Sequence, residues 1–128
     1  KGLVLTGDAR SLPLASESVD GILAHHLFDH LDRTSFFKAA EEAFRVLKPE
    51  GVMLLTMDSF SEMTGDNNAI STDDGSIVYV KGARKGMLVR PFQEDEVAEM
   101  VDKGWETIKN EITPGRGKIM LLRKCSLT

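Results

Sequence analysis

Apolar residues along this chain fall into short blocks separated by polar, turn-rich stretches. Leu3 to Thr6 is a short, partly β-branched run ending at Gly7-Asp8, the pattern of a buried strand and its exit turn. Residues 10–18, with Pro13 among them, read as loop. Val19 to Ala24 is apolar apart from Asp20 and predicts a second buried strand. From Asp32 to Leu47 the period changes. Phe36, Phe37, Ala40, Ala43, Phe44 and Leu47 recur at helical spacing and define one apolar face. Asp32 stands where its carboxylate can cap the free amides of the first turn. Glu41 and Arg45, four apart, predict an ion pair on the polar face. Pro49-Glu50-Gly51 ends the helix, and Val52 to Met57 follows as a third buried strand. Two wholly apolar strands joined by such a helix predict a parallel pair covered on both faces.

The second half is less regular. Ser59 to Gly75 is polar and rich in turn residues, which predicts a long mobile loop. Ser76 to Val80 suits a short edge strand. Phe92 to Lys103 predicts a second helix with Val97, Met100 and Val101 turned inward. Phe92 and Val97 can clasp its start around Gln93, with Glu96 at the third helical position. Gly104 suits the left-handed residue after a helix. Trp105 to Ile112 and Lys118 to Arg123 then form a hairpin around residues 113–117. The fold class is α/β in a single domain, mostly parallel, with a C-terminal antiparallel hairpin.

Composition narrows the function classes. At 128 residues, 41% hydrophobic and 28% charged, a packed core is feasible. A net charge of −4 argues against binding DNA through the global field. A local basic segment, Lys81, Arg84, Lys85 and Arg90, reads as a solvated loop. Cys125 is the single cysteine, so a disulfide scaffold is excluded and a reducing, cytoplasmic setting is expected. No apolar run reaches the about 20 residues needed to cross a bilayer.

Three segments then carry a specific resemblance. Gly7-Asp8-Ala9-Arg10-Ser11-Leu12-Pro13-Leu14, Ser18-Val19-Asp20-Gly21-Ile22 and Phe44-Arg45-Val46-Leu47-Lys48-Pro49-Glu50-Gly51 resemble, in order and spacing, consecutive signatures of class I S-adenosylmethionine-dependent methyltransferases. The similarity is to the broad group acting on quinones, small metabolites and some tRNA bases. It implies a Rossmann-like sheet truncated at its N-terminus, S-adenosylmethionine as cofactor, and a chain forming the C-terminal two-thirds of the domain. The Gly-rich loop and the acidic residue by which the family holds the cofactor carboxylate and ribose have no counterpart here. Gly115-Arg116-Gly117 is not that loop, because it joins two strands and opens no helix. Glu50 stands where the family has Gly, and Gly51 remains for any positive-φ position.

The candidate site follows the same order. Asp8, past the carboxyl end of a strand, can accept from the adenine amine while the Ala9 amide donates to a ring nitrogen. The other reading of Asp8 is a simple turn cap. The resemblance puts the backbone of Ala24 and His25 near the methionine end of the cofactor. Beyond them, His26 or His30 can orient or deprotonate a methyl acceptor, because histidine titrates near neutral pH. These histidines can instead cap or pack the next helix. A metal site from His26 and His30 with Asp29 or Asp32 lacks a convincing third nitrogen or sulfur ligand. A second function class is a non-catalytic binding or scaffold module. An incomplete domain is expected to bind the cofactor weakly and to self-associate through an exposed sheet edge. The acceptor is not legible in the residues.

Overall fold

The computed structural model describes residues 4–58, 67–113 and 117–125. Strand β1 (Val19–His25) leads through a single 3-10 turn at Phe28–His30 into helix α1 (Arg33–Val46). Asp32 caps that helix as the sequence predicts, its carboxylate accepting from the Ser35 N–H at 2.8 Å. That bond also holds the Asp32 carboxyl below its ordinary value. At the other end, the Lys124 ammonium donates to the carbonyls of Phe44 and Leu47 at 2.7 and 2.9 Å. It supplies the positive charge that a helix C-terminus favours.

Strand β2 (Leu47–Asp58) starts at once, earlier than the apolar pattern suggested, and runs parallel to β1. The two remaining long strands, β6 (Trp105–Thr113) and β7 (Gly117–Lys124), form the predicted hairpin, and β7 pairs antiparallel with β2. The sheet order is β1-β2-β7-β6. Between β2 and β6 lie β3 (Ala69–Ser71), β4 (Ile77–Tyr79), β5 (Leu88–Val89) and helix α2 (Glu94–Val101). The three short strands make a separate antiparallel sheet in the order β3-β4-β5.

Both helices pack on one face of the main sheet. Phe36, Ala39, Ala40 and Ala43 of α1, with Val97 and Met100 of α2, meet Met53, Leu55, Met57, Met120 and Leu122. The opposite face carries Leu23, Leu54 and Ile119, which are 69%, 38% and 38% exposed. The expectation of cover on both faces is therefore corrected among the described residues. The sequence of β2 has no polar alternation because both its faces are apolar, yet only one is packed here.

Other expectations also shift. Residues 4–7 form no strand, and Val4 and Leu5 lie largely exposed, because no strand among the described residues supplies backbone partners. Arg45 pairs with Glu42 at 2.7 Å, three residues back, and leaves Glu41 aside. Part of the predicted Ser59–Gly75 loop lies outside the described residues, while Ala69–Ser71 within it pairs with β4. That makes β4 the central strand of its sheet where an edge strand was expected. Arg90 leaves the basic segment altogether, buried at 3% exposure against Glu96. Gly104 does take the left-handed conformation, at φ +107°. Among the described residues, no helix is long and apolar enough to cross a membrane.

Candidate active site at the carboxyl ends of the parallel strands

Because β1 and β2 are parallel, His25, Thr56 and Asp58 reach the same end of the sheet, the edge where open α/β sheets take ligands. A cleft of about 230 Å³ opens there, lined by His25, His26, Thr56, Met57, Lys118 and Ile119. The Thr56 hydroxyl accepts from the His26 N–H at 3.1 Å and lies 2.9 Å from His25 Nδ1. One threonine therefore ties both histidines to β2. The two imidazole rings meet edge-on, with centroids 4.3 Å apart.

His26 departs from the strand sharply, at φ +52°, a left-handed conformation uncommon outside glycine and one in which histidine, like Asn and Asp, is over-represented. The turn directs its Nδ1 to the Asp29 carboxylate, 3.1 Å away. The Asp29 side chain is completely buried, and the same oxygen accepts from the Asp58 N–H at 3.1 Å. Its other oxygen, Oδ1, is buried with no hydrogen-bond partner among the described residues. Lys118, 1% exposed on the cleft wall, is balanced by Glu94 at 2.9 Å and Asn110 at 3.0 Å.

His30 is placed elsewhere. Its Nδ1 lies 2.9 Å from the Leu88 carbonyl, which ties the 3-10 turn to β5. Since a carbonyl can only accept, His30 is the donor and that nitrogen carries the proton. Ala24 is buried in the core beside His25. Ala9 is half-buried against the same core. Asp8 is half-exposed and forms a tight turn, its carboxylate accepting from the Arg10 N–H at 2.9 Å and the Arg10 guanidinium at 2.7 Å. That guanidinium holds the Asp8 carboxyl down at about 2. Arg10 also reaches Ser35 in the first turn of α1, so Asp8 comes to the same end of the fold as the histidines.

The sequence therefore indicated His25 and His26 but missed their supports. Asp29 entered only as an oxygen ligand for a metal; its spacing three residues after His26 was the available signal. Thr56 and Lys118 sit inside apolar strand patterns, which is why they went unread. No group of three metal-ligating side chains occurs among the described residues. A second cleft of about 180 Å³, lined by Phe37, Phe44, Met100 and Trp105, lies between α1, the end of α2 and the start of β6. Its charged lining residues are Glu41, Arg45 and Lys103, and it has no histidine.

Comparison with known proteins places this geometry. A protein from Pyrococcus horikoshii OT3 superposes with a TM-score of 0.75 at 15% identity, covering 94% of this chain and 58% of its own length. A SAM-dependent methyltransferase from Methanosarcina mazei gives 0.73 at 20% identity, covering 94% and 66%. The Burkholderia thailandensis 1,6-didemethyltoxoflavin-N1-methyltransferase, solved with its substrate and S-adenosylhomocysteine, gives 0.68 at 16% identity, covering 95% and 50%. The chain thus spans about half to two-thirds of the length of these structures. No curated protein sequence matches it.

The chain shares its fold with SAM-dependent methyltransferases of solved structure. Residues 1–55 match the family model described as a methyltransferase domain.

Proposed function

We propose that this chain forms the C-terminal two-thirds of a methyltransferase domain that transfers the sulfonium methyl of S-adenosylmethionine to a small acceptor. The observation that carries the reading is the convergence of His25, His26 and Thr56 on one cleft at the carboxyl ends of the parallel strands. The match over residues 1–55 and the bound S-adenosylhomocysteine of the Burkholderia enzyme support the choice of cofactor.

The residues present suit part of that cofactor. Asp8 is half-exposed, and Arg10 contacts both of its oxygens, so an adenine amine would share the carboxylate with Arg10. Ala9 adds a small side chain against which a flat base can lie. The backbone of Ala24 and His25 would hold the methionine end. The cofactor, when bound, supplies a methyl group already activated by positive sulfur, and the chain's own task is to hold the acceptor in line and exclude water. The single cysteine favours a reducing, cytoplasmic setting.

Partners for the ribose and carboxylate are not among the residues we assign. Each charge-assisted bond so lost is worth roughly 1.5–3 kcal/mol, and two or three move a micromolar ligand to the millimolar range. The test is an amide NMR titration of this chain with S-adenosylmethionine. The expected result is millimolar-range binding, with shifts grouped at Asp8, Ala9, Ala24 and His25 and no methyl transfer. Shifts absent from those amides, or confined to the Phe37–Trp105 cleft, would overturn the assignment. A second reading, a non-catalytic scaffold module, draws on the bare sheet face and predicts no cofactor shifts at all.

A further inference from the structure

Resting on that reading, we infer that His26 and Asp29 form a proton-accepting pair, in which Asp29 positions the imidazole and His26 Nε2 takes the proton of a hydroxyl acceptor. Asp29 is buried and accepts from the Asp58 N–H, so its carboxylate cannot swing away to solvent. A carboxylate only accepts, and the His26 nitrogen facing it at 3.1 Å is Nδ1. The neutral ring therefore carries its proton on Nδ1 and leaves Nε2 with a bare lone pair. No hydrogen bond engages Nε2 among the described residues, and the 43%-exposed side chain lines the cleft. His30 offers no such arrangement, since its Nδ1 bonds a backbone carbonyl at β5.

The acceptor's chemistry follows from the need for a base. A neutral amine attacks with its own lone pair and sheds its proton afterwards. A weakly acidic hydroxyl becomes a competent nucleophile only as its proton leaves. The cleft also presents Met57 and Ile119, so it suits a small, largely apolar molecule bearing that hydroxyl. As the O–H proton passes to His26 Nε2, the oxygen forms its bond to the methyl carbon. The carbon–sulfur bond breaks and its electron pair stays on sulfur. Asp29 touches neither reactant; it is a positioning residue that stabilises the imidazolium so formed. The titratable groups about this ring are His25 and Asp29 from its own segment and Lys118 of β7 on the same cleft, while Asp58 meets Asp29 through its backbone N–H. Lys118 is already balanced by Glu94, which limits its opposition to a positive His26.

The experiment is the long-range proton–nitrogen spectrum of the histidine rings in the 128-residue chain, with His25→Gln and His30→Gln assigning the signals. The expected result is one neutral tautomer at His26, protonated on Nδ1. In Asp29→Leu and Asp29→Ala the population shifts toward the Nε2–H form. An Nε2–H tautomer at His26 in the unaltered chain overturns the proposal, and that measurement needs no variant to fold. An unchanged Nδ1–H tautomer in a folded Asp29 variant overturns the positioning role. The amide titration with S-adenosylmethionine tests the methyltransferase reading separately. A wrong tautomer with cofactor shifts in place defeats only the pair, and a right tautomer with no cofactor shifts defeats only the parent reading.

Discussion

Glu50 and Gly51 carry separate duties at the turn into β2. The left-handed conformation falls on Glu50, at φ +69°, and not on Gly51 as expected. Gly51 is needed for space: a Cβ there would lie 2.8 Å from the Lys48 carbonyl oxygen and 2.9 Å from Leu47 Cδ2. A non-glycine residue in the left-handed region costs about 1–2 kcal/mol, and the greater freedom of unfolded glycine offsets about 0.5–1 of it. Glu50→Gly is expected to stabilise the chain by about 0.5–1 kcal/mol, seen as a higher urea midpoint at unchanged slope. Gly51→Ala is expected to destabilise it by about 1–3 kcal/mol through overpacking. Asp8 provides the other prediction at this scale. Its carboxyl is held at about 2 by Arg10. A depressed folded value means a contribution present above the ordinary carboxylate pKa of about 4 and lost as pH falls toward 2. Asp8→Asn is expected to flatten the acid-unfolding curve in that window. If Asp8 also serves the adenine end, Asp8→Ala weakens S-adenosylmethionine binding roughly tenfold; unchanged affinity would leave Asp8 as a turn cap alone.

Among the elements, the small sheet is fastened to the helices by charge. Arg90, beside β5, donates to both Glu96 carboxylate oxygens of α2, one at 2.6 Å, and to the Asp74 carbonyl at 2.7 Å. Arg33 at the start of α1 adds a contact to Glu96 at 3.0 Å, and its N–H donates to the Asp74 carboxylate. Glu96 was expected merely to occupy the third position of α2; its role is to hold three elements together. Removing one partner breaks the buried pair and leaves the other only its remaining contact, Glu96 to Arg33 or Arg90 to Asp74, at a cost of up to about 3–5 kcal/mol. Arg90→Met and Glu96→Gln should each lower stability by that order in urea unfolding. The double variant Arg90→Met with Glu96→Leu should recover most of it, because both desolvated charges are then gone. A double variant as weak as the sum of the singles would mean the pair is not the fastening.

For the whole molecule, the consequential feature is the bare face of the main sheet. Leu23, Leu54 and Ile119 lie on adjacent strands of that face, and β1 beside them is an edge strand with no further partner among the described residues. Exposed apolar surface next to an unpaired strand edge favours association between chains. Sedimentation velocity is expected to show a concentration-dependent rise in mass. Leu54→Lys together with Leu23→Lys should reduce that association without unfolding the chain, since neither side chain belongs to the packed core. A monomer at all concentrations would show that this face is quiet.

What the sequence determined by itself was whatever rests on local periodicity. The helix at Arg33–Val46, its Asp32 cap, the β1 and β2 strands, the terminal hairpin and the left-handed Gly104 were legible because each depends on residues close in the chain. The order of three short signatures pointed to the methyltransferase class for the same reason. Tertiary structure decided whatever depends on neighbours distant in sequence. Leu3 to Thr6 has the composition of a strand, but a strand exists only where another supplies hydrogen bonds. Arg90 has the composition of a solvated cation, yet Glu96 and Asp74 bury it. His26 and His30 look equivalent in the sequence. They part because one turns to the buried Asp29 at the cleft and the other to a carbonyl of β5, and only the folded chain brings those partners within reach.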